Sequence, residues 1–228
     1  MRAGDLFSGL GGFTEGARQA GLQVELAANH DQRAVHWHQV NHPTTTHLCQ
    51  DIMQMDMGLL PEGGMLLASP CCQGLSTNGN ASRKHRPEVA EKHRLQRNTS
   101  WSVIQAADIA RPTRIIVENV PKLLEWEAFP AWRMALECFG YEVRTHVFRA
   151  SEFGGSQDRD RAIITASLDG GIDLVSPGLK PLTIGDCIED DAAGWVSIDS
   201  KTSVSKAGKI IRNGHCRFRQ ATPKVVFC

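Results

Sequence analysis

A doubly wound α/β fold around a mostly parallel sheet is what this 228-residue sequence predicts, on three observations. Apolar, β-rich runs alternate with helix-like segments, the pattern of a parallel sheet covered on both faces. Three of those runs end in polar or glycine-rich groups, "SGLGG", "PCCQG" and "ENV". In such sheets ligands bind beyond the carboxyl ends of the strands. Finally, 41% hydrophobic and 22% charged residues are ordinary for a soluble globular chain of one large domain, or one domain with a small appendage.

The elements follow in order. "AGDLF" (Ala3 to Phe7) reads as a buried strand, and Gly12 to Ala20 as the helix after it. "LQVELAAN" (Leu22 to Asn29) is a second strand. A helix over Asp31 to His42 follows, with Asp31 as its N-cap. A short third strand precedes "CQDI" (Cys49 to Ile52). "MLLASP" (Met65 to Pro70) and "RIIVEN" (Arg114 to Asn119) are apolar runs that end in polar residues. Between them, "NTSWSVIQAADIARP" (Asn98 to Pro112) is a helix ended by its proline. From Phe129 to Gly140, Trp132, Ala135, Leu136 and Phe139 fall at i, i+3, i+4 and i+7, one apolar helix face. Pro130 suits its first turn and Gly140 its stop. "RTHVFRA" (Arg144 to Ala150) and "RAIITAS" (Arg161 to Ser167) are late strands. Beyond about Gly170 the pattern weakens into a loop-rich transition. The division expected is residues 1–170 as the core domain and 171–228 as a separate tail.

No run reaches the roughly 18 apolar residues of a membrane span, and the N-terminus lacks a signal-peptide pattern. A cytoplasmic protein with no membrane partner is expected. Cysteines stand at 49, 71, 72, 138, 187, 216 and 228, an odd count without CxxC spacing. That argues against a disulfide framework and a zinc cage, so no metal is expected. Net charge is zero, but the charge is uneven. Ser82 to Arg97 is rich in Arg, Lys and His, and Lys201 to Cys228 contains no Asp or Glu. Such clusters suit contact with phosphates, or are a solvated loop and tail.

Six stretches can carry chemistry. "DLFSGLGGF" joins a strand to a helix, and Gly9, Gly11 and Gly12 let a backbone pass close to a ligand or simply make a tight turn. "NHD" (Asn29 to Asp31) and Asp51 follow the next two strands. There they suit ribose hydroxyls and an adenine amino group, or serve as caps. In "SPCCQGLS" (Ser69 to Ser76) a cysteine at a strand end is either an accessible nucleophile with a lowered pKa or a small buried hydrophobe. In "VENVP", burial at a strand end would favour the neutral form of Glu118. In "GSQDRDR", Arg159 and Arg161 share one face if extended, as a clamp for an oxygen or phosphate or as a charged turn.

In this order the stretches resemble the cytosine-C5 DNA methyltransferases. The family's first motif is similar to "DLFSGLGGF", its Pro-Cys-Gln loop to "SPCCQGLS", its Glu-Asn-Val motif to "ENV", and its Gln-x-Arg-x-Arg motif to "QDRDR". The resemblance runs from about Gly4 to Ala166. It implies a Rossmann-like S-adenosylmethionine-dependent fold and methyl transfer to C5 of a flipped-out cytosine in double-stranded DNA. By alignment with Gln73, Cys72 is the nucleophile, Glu118 engages the ring, and Arg159 and Arg161 steady the base. Phe7, Gly9, Leu10, Gly11, Asn29, His30, Asp51, Ile52 and Pro70 would line the S-adenosylmethionine site. The basic segment Ser82 to Arg97 would close over the DNA. RNA as substrate, or a non-catalytic binding subunit, are the alternative implications.

Three departures stand out. Cys71 replaces a common proline, and Asn29 replaces a ribose-holding acid. No terminal motifs are found after Ala166. Residues 171–228 would then be the start of a truncated target-recognition region. A complementary C-terminal subunit and a restriction endonuclease are the further partners such a chain implies.

Overall fold

The computed structural model describes residues 1–71 and 96–183, together with two short strands, Trp195–Ser197 and Arg217–Arg219. Its centre is a seven-stranded sheet built from Arg2–Leu6 (β1), Gln23–Asn29 (β2), Thr46–Cys49 (β3), Met65–Ala68 (β4), Arg114–Asn119 (β5), Glu142–Arg149 (β6) and Asp160–Ser167 (β7). The spatial order is β3-β2-β1-β4-β5-β7-β6. Strands β1 to β5 pair in parallel, and β7 alone runs against its neighbours, pairing antiparallel with β5 and β6. The strand order reverses at β1, with β2 on one side and β4 on the other. That is the position where doubly wound sheets open a ligand crevice. This is the expected fold class, with one reversed strand that the alternation of elements did not orient.

Helices Gly12–Gln19 (α1), Gln32–Asn41 (α2), Trp101–Ile109 (α3) and Phe129–Cys138 (α4) connect the strands. The larger core lies on one sheet face. Leu6, Leu66, Ile115, Val117 and Ile164 pack there against Val103 and Ala107 of α3 and Trp132 and Leu136 of α4. On the other face Ala3, Val24 and Leu67 meet Ala17 of α1. The period of α4 is as expected: Trp132 and Leu136 are buried, and Gly140 at φ 91° takes the left-handed stop. Asp31 caps α2 through the N–H groups of Arg33 and Ala34. The sequence pattern from Asn98 is interrupted: residues 96–98 are helical, Thr99 and Ser100 turn, and α3 begins at Trp101. No helix among the described residues is long and apolar enough to cross a membrane.

One polar thread runs through this apolar frame. Asp5 of β1 is fully buried, and its Oδ2 accepts the Thr14 hydroxyl at 2.8 Å. Thr14 Oγ1 is also 3.1 Å from Nε2 of buried His38, whose Nδ1 is 2.8 Å from His47 Nε2. A hydroxyl has one proton. While Thr14 donates to Asp5, His38 donates from Nε2 and accepts from His47. Burial pushes Asp5 up to about 7, and Oδ1 finds no hydrogen-bond partner. Burial first, then the positive fields of His42 and His47, bring His38 down to about 4.

Candidate active site

The parallel strands deliver their chemistry at their carboxyl ends, as alternation implies. After β1 the chain turns through Phe7 at φ 62°, Gly9 at φ 54° and Gly11 at φ 102°. A positive φ is costly for a residue as bulky as phenylalanine. Gly11 is required twice over. Besides its φ, a Cβ there would lie 2.5 Å from the His42 ring. The end of α2 holds this loop from behind: Asn41 Nδ2 donates to the Leu10 carbonyl at 3.0 Å, and His42 Nε2 lies 3.2 Å from the Gly11 carbonyl. Gly9 faces open space, since an added Cβ would meet only the Phe7 carbonyl at 4.0 Å.

Asn29 ends β2 and His30 follows it, exposed. Asn29 Oδ1 accepts the Asp31 N–H at 2.9 Å, which leaves its amide nitrogen as the group suited to a hydroxyl. Asp51 follows β3 and is exposed. Its Oδ1 accepts the Met53 N–H at 3.0 Å, capping a short 3₁₀ turn. Thus the capping role open to Asp51 is realised, with a second carboxylate oxygen left for another donor. Ile52 departs from the expectation for a lining side chain. It is 1% exposed and packs in the main core, behind the surface that Asn29 and Asp51 reach. The open backbone at Gly9 and the polar groups of Asn29 and Asp51 on adjacent strands fit a nucleoside-bearing ligand such as S-adenosylmethionine.

A cleft of about 240 Å³ opens beside this edge. Ser69, Pro70 and Cys71 after β4, Glu118, Asn119 and Val120 at the end of β5, and Arg159 and Arg161 at the start of β7 line it. The reversal of β7 explains the meeting. Because β7 is antiparallel to β5, its first residues lie beside the last residues of β5, with Glu118 opposite Ile163 and Asn119 opposite Ala162. Arg161 Nε is 2.5 Å from Glu118 Oε1, with both side chains largely covered. Burial pushes the Glu118 carboxyl above its ordinary value, while the Arg159 charge pulls it back. The Arg161 contact pulls the same way as Arg159, because an adjacent cation favours the ionised form.

Pro70, expected beside the cofactor, lines this cleft. Cys72, expected as the nucleophile, lies outside the described residues, as does most of the basic segment Ser82 to Arg97. Cys71, directly before Cys72, is in the cleft wall. Asn119 plays a part the sequence did not disclose: its Nδ2 donates to the Pro70 carbonyl at 3.0 Å, tying β5 to the turn after β4. Nor did spacing reveal Asn41 and His42 behind the glycine loop, since both act on backbone carbonyls 31 residues away. Among the described residues no three His, Cys, Asp or Glu side chains group as metal ligands.

Comparison with known proteins gives a consistent result. The C-5 cytosine-specific DNA methylase family matches residues 1–181. DNA (cytosine-5)-methyltransferase 1 of Rattus norvegicus is 30% identical over 190 residues, 75% of this chain but 11% of that protein. The type II methyltransferase M.NlaX of Neisseria lactamica is 29% identical over 195 residues, 81% of this chain and 58% of its own length. The chain therefore spans a little over half of this bacterial relative and about a tenth of the rat one. Among solved structures, a putative DNA modification methyltransferase encoded within a prophage of E. coli superposes with a TM-score of 0.67 at 22% identity. It covers 88% of this chain and 61% of that one. The S. pombe Dnmt2 methyltransferase gives 0.67 at 17%, covering 92% and 66%.

Proposed function

Because the chain belongs to the C-5 cytosine-specific DNA methylase family, we propose that it methylates C5 of a cytosine turned out of double-stranded DNA, through a covalent bond to Cys72. The observation that carries this reading is the pairing of Glu118, partly buried and with its carboxyl pushed above its ordinary value by burial, with Arg161 in a cleft walled by the Pro70–Cys71 turn. A flipped pyrimidine offers such a cleft its Watson–Crick edge.

The Cys72 thiolate adds to C6, and the ring electrons move toward C5. Glu118 in its protonated form hydrogen-bonds or protonates N3 and so offsets the charge that builds on the ring. Arg161 holds Glu118 in place, and Arg159 lies beside the base. S-adenosylmethionine, which the Phe7–Gly11 loop, Asn29, His30 and Asp51 would hold, supplies the electrophilic methyl group: C5 takes the methyl as the sulfonium S–CH3 bond breaks, and the neutral thioether S-adenosylhomocysteine is left. After transfer the C5 proton leaves, the S–C6 bond breaks and the ring regains its double bond. Addition and elimination divide one difficult substitution into easier steps. We assign this chemistry to residues 1–170 and read 171–228 as the opening of a target-recognition region. The remainder of recognition would come from further sequence or a complementary subunit, and a restriction endonuclease is a natural partner of the type II relatives.

Tritiated methyl transfer from S-adenosylmethionine to duplex DNA, with and without a candidate C-terminal partner, tests the reading. Transfer is expected from the wild type and not from Cys72→Ala. No transfer under either condition would overturn it. An adduct with 5-fluorocytosine DNA that survives Cys72→Ala but is lost in Cys71→Ala would move the nucleophile to the neighbouring thiol.

A further inference from the structure

The Pro70–Cys71 peptide group is held on both of its polar edges. Its carbonyl accepts from Asn119 Nδ2 at 3.0 Å. Its N–H, that of Cys71, donates to Thr99 Oγ1 at 3.2 Å. A peptide is planar, so bonds to its two opposite edges fix the rotation of the whole plane, whereas either bond alone leaves it a swivel. This plane is the last one before the peptide that leads into Cys72.

Both anchors are themselves oriented. Asn119 is buried, and its Oδ1 accepts the Val120 N–H at 2.9 Å, which turns Nδ2 toward Pro70. The Thr99 hydroxyl donates to the Gln96 carbonyl at 2.7 Å, so it can only accept from Cys71. The turn that carries Thr99 is tied in turn to the core. Ser102 Oγ donates to the Thr99 carbonyl at 2.8 Å, and the indole N–H of fully buried Trp132 donates to the Ser100 carbonyl at 2.8 Å. Thr99 is 28 residues from Cys71 and is not among the residues that line the cleft.

We propose that Thr99 is a positioning residue: its hydroxyl locks the Pro70–Cys71 plane and so sets the direction in which the chain presents Cys72. This rests on Cys72 being the nucleophile. Thr99→Val keeps the branched shape and removes the hydroxyl, and Thr99→Ser keeps the hydroxyl. Two readouts on the full chain separate the inference from the reading beneath it. The first is amide hydrogen exchange at Cys71, followed by NMR of ¹⁵N-cysteine-labelled protein without DNA. Exchange is expected to be at least ten times faster in the Val variant and near wild type in the Ser variant. The second is the rate of adduct formation on 5-fluorocytosine duplex DNA at saturating DNA and S-adenosylmethionine. Thr99→Val is expected to lower that rate about tenfold or more with the DNA KM within twofold of wild type, and Thr99→Ser to restore it. Equal adduct rates in wild type and Thr99→Val would overturn the proposal, as would equal losses in both variants. If the wild type forms no adduct either alone or with the candidate C-terminal partner, the nucleophile reading falls. Amide exchange then decides Thr99's hold on the turn by itself: unchanged exchange in Thr99→Val overturns it.

Discussion

Glu118 shows at the residue scale how a motif becomes chemistry. The sequence put a carboxyl after three apolar residues, which implied burial and a preference for the neutral form. The structure adds what the sequence lacked: Arg161 at 2.5 Å, an ionic partner that opposes burial. Removing it has a defined sign. In Arg161→Ala only burial and Arg159 remain, so the Glu118 pKa is expected to rise further, as a ¹³C titration of labelled glutamate would record. The protonated carboxyl is the acting form. Its contribution to kcat/KM therefore falls as pH rises through this pKa, and Arg161→Ala should move that limb to higher pH. Glu118→Gln is expected to lower kcat by about 100-fold or more, the usual worth of a positioned acid. Glu118 and the arginine pair were legible because the family's motifs are contiguous. Thr99 was not, because its hydroxyl meets the Cys71 backbone rather than a motif side chain and the contact spans 28 residues.

At the scale of elements, the polar thread joins β1, α1, α2 and β3 through Asp5, Thr14, His38 and His47. Its two buried ends titrate in opposite directions. Asp5, raised from 3.8 to about 7, holds a proton in the folded state that the unfolded chain has lost. Its contribution is complete below about pH 4 and disappears as pH rises to 7. His38, lowered from 6.5 to about 4, lacks a proton that the unfolded chain holds. Its contribution is complete above about pH 6.5 and disappears as pH falls to 4. Across that window folding moves one proton from histidine to aspartate, and the two slopes offset each other. Each alone is worth roughly 3 to 4 kcal/mol. Thermal melts should therefore show little slope from this pair in the wild type between pH 4.5 and 6.5. Asp5→Asn should unmask a loss of stability toward acid, and His38→Gln a loss toward neutral pH. A wild-type slope unchanged by either substitution would refute the coupling. The sequence placed the helix carrying His38 correctly from its cap and bounds. It did not disclose the histidine contacts, because they depend on the distance between neighbouring elements rather than on any local pattern.

At the scale of the whole molecule, alternation of elements was enough to predict the layered sheet, but not the reversal of β7. Hydrophobic period says which face of a strand is buried and nothing about its direction. The reversal is nonetheless what brings Arg159 and Arg161 beside Glu118. It also divides the sheet by the length of chain each pairing must close. Strands β6 and β7 join through a short connection, with Arg149 opposite Asp160. The central pairing of β1 with β4 sets Asp5 opposite Leu67, across most of the first third of the chain. Closing a longer loop costs more entropy before any contact repays it. The molecule is thus expected to have a fast-folding end and a slow-folding end. Pulsed hydrogen exchange during refolding is expected to protect β6 and β7 before β1 and β4. The cleft lies across the seam between the two, since β4 brings the Pro70–Cys71 turn and β7 brings the arginines. On this ordering, the wall that carries positive charge is in place before the wall that leads to Cys72 docks against it.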